Sequence, residues 1–252
     1  MYVGPIFRSG LMEEALMTRK SFRWLALGAG AAAGAYAAYA GTTWLRYGRT
    51  KTARAESQDP LLDLFMPEFE VAERHEIEVA APADVTLAAA MTVDLDESSV
   101  VRAIFKGREL FMGAARDNRQ RPQGLLEAMK SIGWSVLATI PDREVVVGAV
   151  TKPWEANVVF RSVPADEFAA FNEPDYVKIA WTLRADSVGP GHSIARTETR
   201  VMTTDAASRR KFRRYWSLAS PGILLIRRFM LKRVKALAEA RCRPGLQTRQ
   251  AI

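Results

Sequence analysis

The chain has 252 residues, a formal net charge of +8 and a sequence pI near 9.8. A hydrophobic fraction of 48% with 25% charged residues is that of a folded globular protein, which excludes wholesale disorder. A single cysteine, Cys242, excludes an internal disulfide and a cysteine-based metal site. Two histidines, His75 and His192, leave little room for a histidine cluster, so no metal or cofactor is expected.

The charge is unevenly spread. Residues 1–54 carry a net +6, residues 206–252 a net +12, and the middle a net −10. Basic ends around an acidic centre point to a partner surface, either membrane or nucleic acid.

In chain order, residues 1–23 read as an N-terminal extension, poorly structured over 1–16. Residues 24–45 then form an uncharged run of 22 residues, WLALGAGAAAGAYAAYAGTTWL. A bilayer core about 30 Å thick takes roughly 20 helical residues, so the length fits one transmembrane helix. Trp24 and Trp44 stand at the two ends, where amphipathic rings favour the headgroup level, and Arg23 and Arg46 bracket the run. A cleaved export signal is the alternative. Ala38-Tyr39-Ala40 offers a small-residue cleavage site, and Arg19-Lys20 resembles a twin-arginine pair. The reading is a single-pass membrane protein. Basic residues flank both ends of the run, so the side of the soluble domain is left open.

Residues 46–69 read as a linker and 70–241 as one folded domain, followed by a tail at 242–252. Val71–Ala81 is the expected first strand. Asp84 is placed to cap a helix over 85–94, and Ser98 or Ser99 a second one. Residues 114–124 read as a loop. Trp134–Ile140, Glu144–Thr151, Asn157–Val163, Asp175–Asp186 and Ser193–Thr204 follow as strands. In the fourth, Val177, Ile179, Trp181 and Leu183 oppose Lys178, Thr182 and Arg184. An antiparallel meander with one wet face is expected. Ala165–Asp175 reads as a gating loop or a short surface helix. From Asp205, read as the N-cap, Phe212, Trp216, Ala219, Ile223, Ile226, Met230, Val234 and Leu237 recur at helical spacing, with a kink or break expected near Ser220, before Pro221.

The order is α+β: an antiparallel sheet packed around a long C-terminal helix. It resembles the helix-grip (SRPBCC/START-like) superfamily, whose members include lipid-transfer domains and polyketide cyclase/dehydrase-type proteins. The stretch TETRVMTTDAASRRKFRRYW…SPGILLIRR looks like an uncharacterised bacterial branch of it. The resemblance implies a hydrophobic cavity between sheet and helix. It implies no shared catalytic residues.

Cavity walls are expected from Trp134, Val147, Trp154, Phe160, Trp181, Phe212 and Trp216, with hydroxyls from Thr197 and Thr199. His75 is expected to face solvent, and His192 falls in a Gly-Pro-Gly-His turn. Glu198, Arg196, Arg200 and Arg184 read as cross-strand ion pairs on the wet face. No catalytic residue is assigned. Arg209, Arg210, Arg213, Arg214, Arg227, Arg228, Lys232 and Arg233 are read as a face that meets an anionic membrane surface. Nucleic acid is not the expected partner, because no recognition motif accompanies the charge. The function implied is membrane-tethered binding or transfer of a lipid or other hydrophobic small molecule. A cyclase- or dehydratase-type enzyme and a ligand-free structural protein are the alternatives.

Overall fold

A computed structural model describes residues 7–53, 59–94 and 122–243, together with 98, 101–104, 106, 107 and 113. Two compact units meet between Leu45 and Arg46.

The first unit consists of α1 (Phe7–Arg46), 40 residues of helix and so about 60 Å long at 1.5 Å per residue. Residues 7–16 are therefore helical rather than poorly structured. Among the described residues, no helix is long and apolar enough to cross a membrane. The expected transmembrane span is not supported, and composition is the reason. In the uncharged run only Leu25, Leu27 and Leu45 are aliphatic side chains larger than alanine. Alanine and glycine gain little on leaving water.

The second unit begins with β1 (Lys51–Thr52), α2 (Pro60–Asp63) and β2 (Glu68–Phe69). β1 pairs with β2. The main sheet has β3 (Val71–Val79), β4 (Ser135–Ile140), β5 (Glu144–Thr151), β6 (Phe160–Arg161), β7 (Val177–Gly189) and β8 (His192–Thr203). All its pairings are antiparallel, in the order β3-β8-β7-β5-β4, with β6 on the end of β5. The expected strand over 157–163 shrinks to the two residues of β6. Helices α3 (Ala83–Thr92), α4 (Leu125–Ser131), α5 (Ala165–Phe168) and α6 (Ala206–Arg241) complete the unit. Asp84 sits in the first turn of α3 instead of capping it. Ser98 does accept a hydrogen bond from the Val101 amide at 3.3 Å. Most of the expected second helix, most of the 114–124 loop and residues 244–252 lie outside the described residues.

α6 starts on a reciprocal cap. The Asp205 carboxylate accepts from the Ser208 amide at 2.7 Å, and the Ser208 hydroxyl accepts from the Asp205 amide at 3.1 Å. Together with the Asp175 amide these donors hold the Asp205 pKa down to about 2. The helix then runs 36 residues straight through Pro221, so the expected break is absent. Proline removes one amide donor and crowds the preceding turn. The turn it crowds is Ser217-Leu218-Ala219-Ser220, in which both serines are buried and Leu218 is exposed, and packing fixes the helix on either side. An antiparallel sheet packed against a long C-terminal helix is what the helix-grip resemblance implies.

The expected wet face survives along β3, where Ala72, Glu76 and Glu78 are exposed, but not at the centre of the sheet. Every residue of β5 is buried, which means that both faces are covered there. The helix-facing side carries Val145, Val147, Trp181, Leu183 and Ala195 against Leu87, Met230, Val234 and Ala238. The outer side carries Val146, Val150 and Ala180 against Leu62, Met66, Phe69 and Phe168. Residues 59–69 are therefore part of the fold and not a linker. α5 likewise packs Phe168, fully buried, on the same face. Gly148 permits this closeness. A Cβ there would stand 2.6 Å from Leu137 and 2.7 Å from Phe168.

Charged groups are sealed under the outer cover. Arg200 is fully buried. Its guanidinium donates to Glu198 at 2.7 Å, to the Met66 carbonyl at 2.8 Å and to Asp63, and it stacks over the Phe69 ring. Of the expected cross-strand pairs, Glu198 has Arg74 of β3 at 3.7 Å, whereas Arg200 is bound along its own strand to Glu198 and to Asp63 of α2. Arg196 pairs with Glu76 at 3.0 Å and with Asp186 at 2.6 Å nearer the surface. Arg184 lies 3.7 Å from Asp59, whose own carboxylate caps α2. Replacing Arg200 by methionine leaves Glu198 and Asp63 without their cation. A loss of about 3–5 kcal/mol in urea unfolding is expected; a loss below about 1 kcal/mol contradicts the clasp.

Glu144 adds a pH dependence. Burial pushes its pKa up to about 7, and the neighbouring Asp59 carboxyl adds to the rise. The folded state therefore favours the protonated form. The stabilisation is complete below the usual glutamate value and is lost as pH climbs through about 7. Melting temperature should fall between about pH 5 and pH 8. Glu144→Gln should flatten that slope; an equally steep slope in the variant assigns it elsewhere.

Candidate functional site

Strand register puts two rows of side chains on the helix-facing side. One row is Glu73, Thr199, Trp181 and Val147, and the next is His75, Thr197, Leu183 and Val145. The Trp181 indole N–H donates to the Thr197 hydroxyl. Val147, Trp181, Thr197 and Thr199, all expected as walls, thus stand together. Trp134 packs edge-on against Trp181 with ring centroids 6.5 Å apart, and Phe160 lies 5.3 Å from Trp134. Phe212 and Trp216 stack on each other at 5.7 Å, next to Val71, Val177 and Val201. Trp154 sits at the rim of that cluster, with the Lys211 ammonium 5.5 Å from its ring.

The ends and the middle of α6 differ. Its buried residues run from Ser208 to Ser220 and then from Met230 to Ala238. Between them, from Pro221 to Phe229, no residue is buried. Ile223, Ile226 and Arg227 nevertheless lie on the helix's apolar stripe and are half-buried. Across from them Glu73, His75, Ile77 and Ile179 are half-buried too. The half-buried stretch of α6 thus lies between Phe212 and Trp216 on one side and Met230 and Val234 on the other. Ile104 approaches this stretch, near Gly222.

The polar groups of this middle are distinctive. Burial holds the His75 pKa below the usual histidine value. Glu73 opposes that shift, and Arg228 and Arg227 reinforce it. His75 is therefore a neutral imidazole at pH 7, and its Nε2 is buried without a hydrogen-bond partner. Glu73 accepts a hydrogen bond from the Tyr47 hydroxyl, whose own pKa burial and Glu73 both raise. Arg227 lies over the Trp181 ring, its guanidinium carbon 4.0 Å from the centroid.

Two sequence expectations change here. His75 faces the helix and not the solvent. The signal was present, because Val71, His75, Ile77 and Val79 share one parity along β3. Arg227 turns inward and is no part of a membrane face. It is four residues after Ile223 and three before Met230, hence on the stripe. Glu73, Ile179, Ile223 and Ile226 are further wall residues, readable from the same periods. Of the other basic residues, Arg210, Arg214, Arg228, Lys232 and Arg233 are exposed. Arg209 is bound to Glu70 at 2.7 Å, and Arg213 lies against Gly48. His192 is exposed in its turn. Glu198 belongs to the outer-face clasp. An opening of about 440 Å³ lies where α3 and the end of α6 meet, between Thr92, Val93, Gly124, Arg233, Leu237 and Arg241. Among the described residues, no group of three or more His, Cys, Asp or Glu side chains is placed to hold a metal.

The His75 environment is open to direct measurement. Its ring resonances should titrate below the usual histidine value in a proton NMR pH series. Arg227→Met removes one of the charges that hold it down, so the midpoint should move up. A midpoint unchanged in the variant contradicts the placement of Arg227 beside His75.

No protein-family model matches the chain, and no curated protein matches it either. Solved structures do show likenesses. CalU16 from Micromonospora echinospora is 15% identical over 76% of this chain and 95% of its own, with a TM-score of 0.25. The Zhui aromatase/cyclase from Streptomyces sp. R1128 is 12% identical over 69% of this chain and 97% of its own, with a TM-score of 0.23. Ara h 8.0201 is 8% identical over 68% of this chain and 98% of its own, with a TM-score of 0.22. Likenesses of this size carry nothing about ligand or activity. The fold description rests on the strand order and on α6.

Proposed function

We propose that the protein binds a lipid or other hydrophobic small molecule between the main sheet and the middle of α6. The observation that carries this reading is the interruption in burial between Ser220 and Met230. Apolar side chains left half-exposed on both sides of a gap forgo about 25 cal/mol for each Å² not removed from water. A ligand that fills the gap recovers that energy. Binding sites of this kind are concave and mostly apolar, with a few polar groups that fix orientation. Ile77, Ile179, Ile223 and Ile226 supply the apolar part. His75, Glu73 and Arg227 supply the polar part.

Filling the gap by mutation separates this from a protein that holds no ligand. Ile179→Trp should abolish binding of a fluorescent fatty-acid analogue and leave the melting temperature unchanged or raised. If the analogue binds neither protein, the ligand reading fails. If it binds both alike, the ligand sits elsewhere.

A cyclase- or dehydratase-type enzyme is the second reading, and His75 is what favours it. A neutral imidazole with a free ring nitrogen, facing an apolar space, is suited to accept or pass on a proton. Loss of turnover with retained binding in His75→Asn would distinguish this reading from simple binding.

We further propose that α1 tethers the domain to a membrane. Phe22, Trp24, Leu25, Leu27 and Leu45 are exposed along it. Large apolar side chains at that density on one helix call for a partner phase. The exposed arginines and lysines of α6 would add attraction to anionic lipid, about 1 kcal/mol each near the surface. The full chain is expected in the membrane fraction, and a chain starting at Arg46 in the supernatant. Equal partition of the two contradicts tethering.

A further inference from the structure

Arg227 is the one site residue whose charge is unanswered by its surroundings. It makes no hydrogen bond and no ion pair among the described residues. Its guanidinium carbon lies over the Trp181 ring face, 4.0 Å from the centroid. Other buried or half-buried arginines of the domain are matched. Arg200 has Glu198 and Asp63, Arg184 has Asp186 and Asp59, and Arg196 has Glu76 and Asp186. A guanidinium withdrawn from water without an anion is costly, and the cost appears as a depressed pKa. Desolvation alone pushes it down to about 9, with no carboxylate acting against that shift. At neutral pH the group is still charged.

Its position gives the charge a use. Trp181 supports one side of the planar group, and this fixes its orientation. Ile223 and Ile226 precede it on the same helix, and Ile179 faces that stretch from the sheet. His75 stands near enough for Arg227 to lower its pKa, and its buried Nε2 has no partner. One cation and one neutral ring nitrogen therefore lie at the edge of an apolar gap, both with hydrogen-bonding capacity left over.

We infer that Arg227 anchors the head of an amphiphile carrying a single negative charge, a carboxylate, while the ligand's apolar body lies in the gap under α6. The inference rests on the ligand-binding reading above and narrows it to a ligand class. A carboxylate matches the guanidinium fork through two parallel hydrogen bonds and balances its one charge. A phosphate monoester brings −1.5 to −2 at neutral pH. Among the described residues Arg227 is the half-buried cation of this stretch, Arg228 being exposed, and His75 is held neutral. His75 Nε2, in its protonated tautomer, donates a further bond to the head.

The test uses the full chain and titration calorimetry with three probes of one chain length: palmitate, hexadecanol and hexadecyl phosphate. Palmitate is expected to bind most tightly, and Arg227→Met to weaken it about ten- to hundredfold, as loss of a charge-assisted hydrogen bond does. Arg227→Lys, which keeps the charge and loses the fork, is expected to fall between. Hexadecanol should be insensitive to either change. If hexadecanol binds the wild type as well as palmitate does, or if Arg227→Met binds palmitate undiminished, the anchor is overturned and the binding reading stands. If hexadecyl phosphate binds more tightly than palmitate in an Arg227-dependent way, the head-group assignment is overturned. If no probe binds, both fall together. Thermal melting of each variant separates lost binding from lost folding. Should Arg227→Met not fold, Arg227→Lys with the palmitate–hexadecanol comparison decides alone.

Discussion

The fold turns on the buried guanidinium of Arg200. A sheet covered on both faces needs two covers, and one of them here is only a dozen residues long. That cover, residues 59–70, is too short to hold itself by apolar area. Leu62, Met66 and Phe69 give it a core, and Arg200 fastens it through Asp63 and the Met66 carbonyl. A cation so placed is stabilising only as long as every partner is present. With the outer face closed in this way, the inner face is left to α6 and α3.

Burial along α6 is interrupted in its middle. The cap at Asp205 and the Phe212–Trp216 stack fix its first half. Met230, Val234 and Ala238 fix its last third against α3 and the sheet. Both anchors are aromatic or aliphatic and fully packed. Between them lie Pro221, Gly222 and half-buried isoleucines, with a charged residue at a stripe position. A helix built only for stability would carry a leucine or methionine at position 227. An arginine there, resting on Trp181 without an anion, is a departure from local consistency of the sort expected at functional positions.

Much of this was legible in the sequence. Strand alternation in 177–186 and 193–203 gave the sheet, and the 3.6-residue stripe gave α6. That Val147, Trp181, Thr197 and Thr199 share one face follows from parity alone. What misled was treating charge as a sign of exposure. Arg227, His75, Glu198 and Arg200 all look like surface residues by type, and each is placed inward or under cover by its period. The continuous apolar run of β5, EVVVGAVT, is the other signal of a sheet buried on both faces. The role of residues 59–69 was not legible, because a short polar-flanked segment has no period, and the partners of Asp59 and Asp63 are more than 80 residues away. The missing break at Pro221 was not legible either. Tertiary packing on both sides overrides the local preference of a proline. The uncharged run in α1 was correctly helical, but length alone overstated its affinity for a bilayer interior.

The central claim is that the space under the middle of α6 takes a hydrophobic ligand. Native mass spectrometry of the full chain, purified under mild conditions, tests it most directly. The account predicts an adduct of lipid-like mass that Ile179→Trp removes. A wild-type protein that carries no adduct, even after incubation with long-chain fatty acids, would contradict it.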